Sequence, residues 1–410
     1  MCIIGDTLFL RGVLISTFFM EVFDMKAIKI LSLGLALVFC VAAFAACAGG
    51  KDDGKFIIGA TGPLTGPAAV YGQGVKNAAQ MAVDEINANG GLDGVMFELK
   101  MLDDQHKAEN VPTLYQQLVN DGMHVSLGTV TTNPALEFKP LAAEDNVFFM
   151  TPSASADAVP AGNANAYQMC FADTKQGVAA GEFVKENYAG QTIGVFYKSD
   201  DAYSKGIYDE FVKTVGSSVT MIAKSFDDSN TTDFGAQVQA LKDCKFIFMP
   251  TYYDPASIFM KAAANVMSAD TTYYGCDGFD GIDSIEGFDI NAIPQKVTML
   301  THFNSNAAEG TMAADFVAKY TEKYGKETLN QFGASAYDCV YAIFNAMKAA
   351  KDAGADVTPD MTASELCDIL KAQFTGGFTY TGVTGENITW DAEGYVKKNA
   401  TYVVIKDFNA

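Results

Sequence analysis

Apolar runs alternate with stretches of helical periodicity along the chain from residue 56 onward. After the first run, apolar residues recur at helical spacing from Val75 to Ile86, and Asn89-Gly90-Gly91 predicts the end of that helix. A strand, a helix and a second strand in this order are typical of a parallel βαβ unit. The predicted strands are FIIGAT (56–61), FELKMLD (97–103), HVSLG (124–128), VFFMTP (147–152), IGVFYK (193–198), FIFMPTY (246–252), TYYGCD (272–277) and VTMLTHF (297–303).

The strands fall into two series, 56 to about 172 and about 192 to 303, and each series is long enough for its own sheet. A helical region follows over about 309–373, and the chain ends in strand-like segments around a turn from Asp391 to Gly394. These late segments need a sheet to pack on, so the chain is expected to cross back between lobes. The pattern predicts an α/β protein with two doubly wound parallel-sheet lobes.

The charge balance argues against nucleic acid as a partner. The chain has 28 Lys plus Arg against 49 Asp plus Glu, a formal net charge of -21, and its single arginine is Arg11. Phosphate binding needs a dense basic surface, which this chain lacks. Three scattered histidines disfavour a histidine-built metal or acid/base site, and Asp103-Asp104 lacks a clear third ligand. We therefore expect no metal and no cofactor.

The N-terminal region has the three zones of a secretory signal. Lys26 and Lys29 precede an apolar stretch over 30–44, and small residues lead to Cys47, so we take Met25 as the start and 1–46 as the leader. The end of this segment, Phe44-Ala45-Ala46-Cys47, resembles a bacterial lipobox, which predicts a lipidated Cys47 and a tether over 47–55. An ordinary signal peptide cleaved nearby, with Cys47 incidental, is the alternative.

The five cysteines that follow Cys47 predict no disulfide framework or zinc ribbon. They are odd in number and lack CxxC spacing, so buried free thiols are the expectation. They are Cys170, Cys244, Cys276, Cys339 and Cys367.

Small and polar residues follow the predicted strands. In open α/β sheets, ligands bind outside the carboxyl ends of the strands, so these residues are the candidate site. They are Thr61 to Pro67 with Tyr71, Thr131 to Asn133, Ser153 to Ser155, Tyr203, Tyr252 to Asp254, and Asp277.

Several motifs together resemble a known family, the branched-chain amino-acid binding proteins of ABC importers, a class of type I periplasmic binding proteins. The resemblance is carried by IGATGPLTGPAAVYGQGVKNAAQMAVDEINANGG, LDDQHKAENVPTLYQQLVNDGMHVSLGTVTTNPA, FFMTPSASA, DTKQG and TWDAEGYV, in the family's order. It implies two lobes, 56–173 with 304–387 and 174–303 with 388–410, joined by a three-crossing hinge that closes on a ligand.

The resemblance implies roles for five residues of the first lobe. Tyr71 would flank the ligand side chain, Phe332 would line its pocket, and Thr132, Ser153 and Ser155 would hold the α-carboxylate and ammonium. Hydroxyls suit this task because no arginine follows Arg11, so a carboxylate must be met by hydroxyls, backbone N–H groups or helix N-termini. The alternatives are helix capping for the hydroxyl residues and ordinary packing for the aromatic ones.

The resemblance implies three further residues from the second lobe. Tyr203 and Tyr253 would cover the ligand on closure, and Asp277 would accept from the α-ammonium. Asp277 stands where the family more often has Glu, and its alternative role is that of a turn residue before Gly278.

The implied function is an extracytoplasmic solute-binding protein, anchored to the outer face of the bacterial cytoplasmic membrane, that delivers an amino acid to ABC permease subunits. An enzyme is disfavoured because GxSxG, GxxxxGK, GxGxxG and HExxH motifs are absent. A sensor or binding protein for an amide, a nucleobase or an aromatic acid on the same fold is the alternative.

Overall fold

The computed structural model describes residues 54–398 and 404–409, so the predicted leader and Cys47 lie outside the described residues. Its helices are α1 (Ala69–Ala88), α2 (Val111–Asn120), α3 (Thr132–Glu144), α4 (Asp173–Asn187), α5 (Ala202–Val215), α6 (Gly235–Leu241), α7 (Tyr253–Ala263), α8 (Met312–Tyr324), α9 (Gln331–Asp352) and α10 (Ala363–Thr375). Its strands are β1 (Phe56–Gly62), β2 (Phe97–Asp103), β3 (Val125–Ser126), β4 (Phe149–Thr151), β5 (Ala166–Gln168), β6 (Thr192–Lys198), β7 (Thr220–Phe226), β8 (Phe246–Met249), β9 (Thr272–Gly275), β10 (Lys296–Thr301), β11 (Tyr380–Gly382), β12 (Gly385–Trp390), β13 (Val396–Lys397) and β14 (Val404–Asp407).

The first lobe is built on a parallel sheet of order β2-β1-β3-β4-β5. All seven residues of β1 are buried, because this strand lies inside the sheet and is covered on both faces. The apolar face of α1 is buried as its spacing predicts, and α1 packs on the late helix α9. Helix α1 ends at Ala88, where Gly90 and Gly91 take positive φ, so the predicted end is confirmed.

The second lobe is built on a six-stranded sheet of order β14-β10-β9-β8-β6-β7. All of its pairings are parallel except that between β10 and β14. The patterns did not predict β7, an edge strand whose residues are mostly half-exposed and mix Lys and Thr with apolar side chains. They also missed β5, which has only three residues.

The chain passes between the two sheets three times. It leaves the first sheet after β5 and enters α4, it leaves the second sheet after β10 and returns to α8 to α10, and it rejoins the second sheet as β14. The predicted fold class of two doubly wound lobes joined by three crossings is therefore confirmed.

The segment from β12 to β13 lies on the first lobe, so the third crossing follows Lys397 rather than residue 387. The Trp390 indole N–H donates to the Gln168 carbonyl at 2.8 Å, and the Trp390 ring packs edge-on against Phe374 with centroids 4.8 Å apart. The Gln168 N–H donates to the Gly394 carbonyl at 3.0 Å. A large buried aromatic side chain with a satisfied N–H fixes this segment.

Candidate ligand-binding site

Residues that follow strands of both sheets line one cavity between the lobes. The cavity is narrow: about one water molecule fits between its side chains unless they move. Seven of the eight residues predicted from the sequence line this cavity, and Tyr253 does not. The lining residues are Tyr71, Val130, Thr131, Thr132, Ser153, Ser155, Tyr203, Tyr252, Asp277, Gly278 and Phe332.

The start of α3 forms one part of the first-lobe wall. Thr132 is the first helical residue, and the preceding Thr131 makes no side-chain capping bond, so the capping interpretation of Thr132 is wrong. The Thr131 hydroxyl lies 2.9 Å from Nδ1 of His106. A helix start carries partial positive charge from its N–H groups, so this wall favours an anionic group although it has no basic side chain.

The loop after β4 brings Ser153 and Ser155 to the same wall. The Thr151 hydroxyl accepts from the N–H groups of Ser153 at 3.3 Å and Ala154 at 2.9 Å, and it donates to the Thr129 carbonyl at 2.9 Å. Both serines are buried in this loop and cap no helix. Their side chains line the cavity and bring neutral hydroxyl groups to it.

Tyr203 forms the centre of the second-lobe wall. It lies in the first turn of α5, whose N-cap Asp201 accepts from the Ser204 N–H at 2.9 Å. The Tyr203 hydroxyl donates to Oδ1 of Asp277 at 2.6 Å and accepts from the Gly278 N–H at 2.8 Å. A Cβ atom at Gly278 would lie 2.5 Å from this hydroxyl, so the close approach requires glycine.

Asp277 supplies a buried carboxylate to the cavity. It begins a short 3₁₀ turn after β9, it is 3% exposed, and its N–H donates to Oε1 of Gln176 at 3.0 Å. Its Oδ2 has no hydrogen-bond partner among the described residues. Burial raises the pKa of Asp277 to about 6, although the bond from Tyr203 favours the ionised form. The free oxygen is an acceptor for a cationic group.

Aromatic rings surround the rest of the cavity. The Tyr71 ring packs edge-on against Phe332 and Tyr253, with centroids 5.0 and 4.9 Å away. Tyr252 lines the cavity in place of its neighbour Tyr253, and its ring stacks on Tyr203 at 4.7 Å. Tyr253 lies behind this lining, and its predicted role of covering the ligand on closure stays a prediction.

Hydrogen bonds between the lobes close the cleft around this cavity. The Tyr71 hydroxyl donates to the Gly278 carbonyl, and the Tyr253 hydroxyl accepts from the Val70 N–H at 3.3 Å. Tyr253 is thus a contact between the lobes. Further bonds join Asn133 Nδ2 to Oδ2 of Asp201 at 3.2 Å and the Gln331 N–H to Oδ2 of Asp280 at 2.7 Å. Entry of a solute larger than water requires these contacts to separate.

The structure also shows the surroundings of the cysteines and of Asp103. The five cysteines predicted as buried free thiols are buried and unpaired. The Asp103 carboxylate accepts from the N–H groups of Leu64 and Gln105 and from the Thr65 hydroxyl, so it organises a loop. Residues 54–398 and 404–409 contain no cluster of metal-ligating side chains, and none of their helices is long and apolar enough to cross a membrane.

Comparison with known sequences identifies the family to which the chain is similar. A sequence model described as periplasmic binding protein matches residues 56–407. A Leu/Ile/Val-binding protein of Rhizobium johnstonii is 29% identical over 283 residues, which are 68% of this chain and 76% of the relative. A leucine-, isoleucine-, valine-, threonine- and alanine-binding protein of Pseudomonas aeruginosa is 28% identical over 252 residues, which are 60% of this chain and 65%, just under two thirds, of that relative.

Solved structures share the two-lobe architecture. A branched-chain amino-acid transporter substrate-binding protein of Streptococcus pneumoniae, in complex with isoleucine, is 26% identical with a TM-score of 0.71, and the match covers 86% of this chain and 99% of that one. A leucine-binding protein of Thermotoga maritima is 22% identical with a TM-score of 0.72, and the match covers 86% of this chain and 95% of that one.

Proposed function

This chain belongs to the family of periplasmic binding proteins, and we propose that it is the extracytoplasmic solute-binding protein of an ABC importer. Its ligand is an amino acid, in the first place a branched-chain one, which it captures between its lobes and delivers to the permease. The relatives named for leucine, isoleucine and valine support this choice of ligand. No catalytic role is assigned to any residue.

The observation that carries the proposal is the opposed chemistry of the two walls. Asp277 presents an unpartnered carboxylate oxygen on the second lobe, and the hydroxyls of Thr132, Ser153 and Ser155 line the same cavity from the first. A zwitterion needs an acceptor for its ammonium group and donors for its carboxylate, and this arrangement supplies both.

The remaining site residues have apolar or closing roles in this proposal. Tyr71 and Phe332 pack against the aliphatic side chain, and Tyr203 holds Asp277 while it covers the ligand. Tyr253 acts by joining the lobes through the Val70 N–H. Ligand binding shifts the population towards the closed form, which docks on the membrane permease.

We also propose that Cys47 carries a lipid that anchors the protein at the outer face of the cytoplasmic membrane, with 47–55 as the tether. A Cys47→Ala variant expressed in a bacterial host should appear in the soluble extracytoplasmic fraction and incorporate no labelled palmitate. Membrane retention of this variant with unchanged labelling would contradict the lipid anchor.

The test of ligand class is calorimetry on residues 51–410, which contain the whole compact unit Gly54–Ala410. We expect L-leucine, L-isoleucine or L-valine to bind and to raise the melting temperature. Two controls each lack one pole of leucine: 4-methylpentanoate has no ammonium group and 3-methylbutylamine has no carboxylate. Both should bind much more weakly than leucine. Binding only of an amide, a nucleobase or an aromatic acid would overturn the amino-acid proposal.

A further inference from the structure

A second and larger cavity, here called the outer cavity, lies between the lobes beside the ligand cavity. Its volume is about 350 Å³, which is within the range of small-molecule sites. Part of its lining is exposed, so it opens to solvent. The first lobe contributes Pro67, Ala68 and His106 to it, and the second lobe contributes Lys198, Phe226 and Tyr252 among others.

Two aromatic rings lie between the two cavities. Tyr252 lines both of them. The His106 ring lines the outer cavity and packs edge-on against the Tyr252 ring, with centroids 5.1 Å apart. Nδ1 of His106 lies 2.9 Å from the hydroxyl of Thr131, which lines the ligand cavity. One ring from each lobe therefore stands in the passage from the outer cavity to the ligand cavity.

The loop that carries His106 has an unusual backbone. Gln105 and His106 have φ values of 57° and 61°, in the left-handed region that residues other than glycine seldom adopt. Oδ1 of Asp103 accepts from the Gln105 N–H at 3.0 Å, and Oδ1 of Asp104 accepts from the His106 N–H at 2.9 Å. Such conformations persist where surrounding bonds fix them, and they cluster at ligand-binding sites. The loop thus holds the His106 ring at the cleft.

The His106 ring is an uncharged obstacle. Burial first, and then the positive charge of Lys198, lower the pKa of His106 to about 4, so the ring is neutral at pH 7.5. Lys198 is itself paired, because its Nζ forms salt bridges with Asp228 and, at 3.7 Å, with Asp200. A neutral ring adds no charge to attract or repel a ligand, so its effect on a ligand is mainly steric.

The position of the ring fixes which ligands it affects. The function proposed above places the ligand carboxylate at Thr132, next to Thr131, so His106 stands beyond the carboxylate end. A peptide continues from that carboxyl group and has to pass into the outer cavity. We propose that His106 is a specificity-determining residue, whose ring bars ligands that extend beyond their α-carboxyl group and limits the site to free amino acids. This inference rests on the proposed function and defines its substrate class more narrowly.

The test is calorimetry of L-leucine and L-leucylglycine on residues 51–410, which contain the whole compact unit. Leucylglycine should bind the wild type about 100-fold or more weakly than leucine, because its second residue collides with the ring. His106→Gly removes the ring at a position whose positive φ suits glycine, and it should narrow this ratio of affinities by about tenfold or more. An unchanged ratio would overturn the proposal.

Two controls separate the ring from a general loosening of the cleft. Gln105→Gly changes the exposed neighbour on the same loop, which also has positive φ and lines neither cavity, and it should leave the ratio unchanged. Glycylleucine extends from the ammonium end, towards Asp277, and should gain nothing from His106→Gly. An equal gain for both dipeptides would overturn the steric role of the ring. Circular dichroism and thermal melts establish that each variant is folded.

A ligand-free measurement separates this inference from the proposed function. Thr131→Cys places a thiol behind the ring, and the five cysteines of the described residues are buried. Iodoacetamide should alkylate this thiol about tenfold or more faster when His106→Gly is added, and at an unchanged rate when Gln105→Gly is added. Equal rates in all three proteins would overturn the obstacle, whatever ligand the protein takes. Faster alkylation without any binding of leucine to the wild type would instead overturn the branched-chain ligand and leave the obstacle supported.

Discussion

The two walls of the cleft differ in how much they destabilise the protein when no ligand is bound. The first-lobe wall consists of neutral hydroxyls beside the start of α3, in a loop whose backbone is tied down by Thr151. The second-lobe wall contains Asp277, whose buried Oδ2 has no hydrogen-bond partner among the described residues. A neutral wall is nearly as stable empty as occupied, whereas a buried acidic wall is destabilised until a cation arrives.

This difference suggests that the two ends of an amino acid contribute unequally to binding. The carboxylate exchanges water for hydroxyls and helix N–H groups, a modest gain. The ammonium group relieves a desolvated carboxylate that already accepts from Tyr203, a larger gain. Selectivity for amino acids should therefore come mainly from the second lobe, and the predictions below test this inequality.

The largest expected effect is that of Asp277→Asn on leucine affinity. The substitution removes a buried charge but keeps its shape and the acceptor for Tyr203. Loss of a buried charge pair costs about 2 to 5 kcal/mol, so we expect affinity to fall by about 30-fold to more than 1,000-fold, measured by calorimetry. Affinity within twofold of wild type would refute the inequality of the walls.

The same variant should be more stable than wild type without ligand. The pKa of Asp277 rises from 3.8 to about 6 on folding, so this group favours folding below about pH 4 and loses that contribution as pH rises through 6. At pH 7.5 the neutral Asn should raise the free energy of unfolding by about 1 to 3 kcal/mol in urea titrations. Asp254→Asn, at a half-buried site, is the matched control and should change it less.

An intermediate effect is expected from pH. Only the second-lobe wall titrates near neutrality, so leucine affinity should fall about tenfold between pH 7.5 and pH 5, as Asp277 with a pKa of about 6 becomes protonated. Calorimetry at constant ionic strength, with circular dichroism to check folding, measures it. The residual binding of Asp277→Asn should be flat over this range. A flat wild-type profile would mean that the ammonium group does not depend on this carboxylate.

The lobe architecture could be predicted from the sequence because long buried strands and amphipathic helices leave strong periodic signals. β1 and α1 are examples, since every residue of β1 is buried and α1 ends at a glycine pair. β5 left no such signal because it has three residues, and β7 left none because it is a half-exposed edge strand. The position of the third crossing depends on the contact of Trp390 with Gln168, which no local pattern encodes.

The site could be predicted in part, because most of its residues follow strands directly. The position of Tyr252 rather than Tyr253 at the cavity could not be predicted, because it depends on the residue at which α7 begins. Tyr252 is the extended N-cap and lines the cavity, whereas Tyr253 is already helical and points to a contact with Val70.

The smallest expected effect is that of a hydroxyl on the first-lobe wall, and it completes the comparison. Ser155→Ala removes one neutral donor to the ligand carboxylate, which is worth about 1 kcal/mol, so leucine affinity should fall only about fivefold. The control Ser364→Ala changes a serine on α10 whose hydroxyl accepts from Asn146, and it should not affect binding. Binding of 3-methylbutylamine, which has no carboxylate, should be the same for Ser155→Ala and wild type. If Ser155→Ala instead weakens leucine as much as Asp277→Asn does, the carboxylate end contributes equally, and the inferred dominance of the acidic wall is wrong.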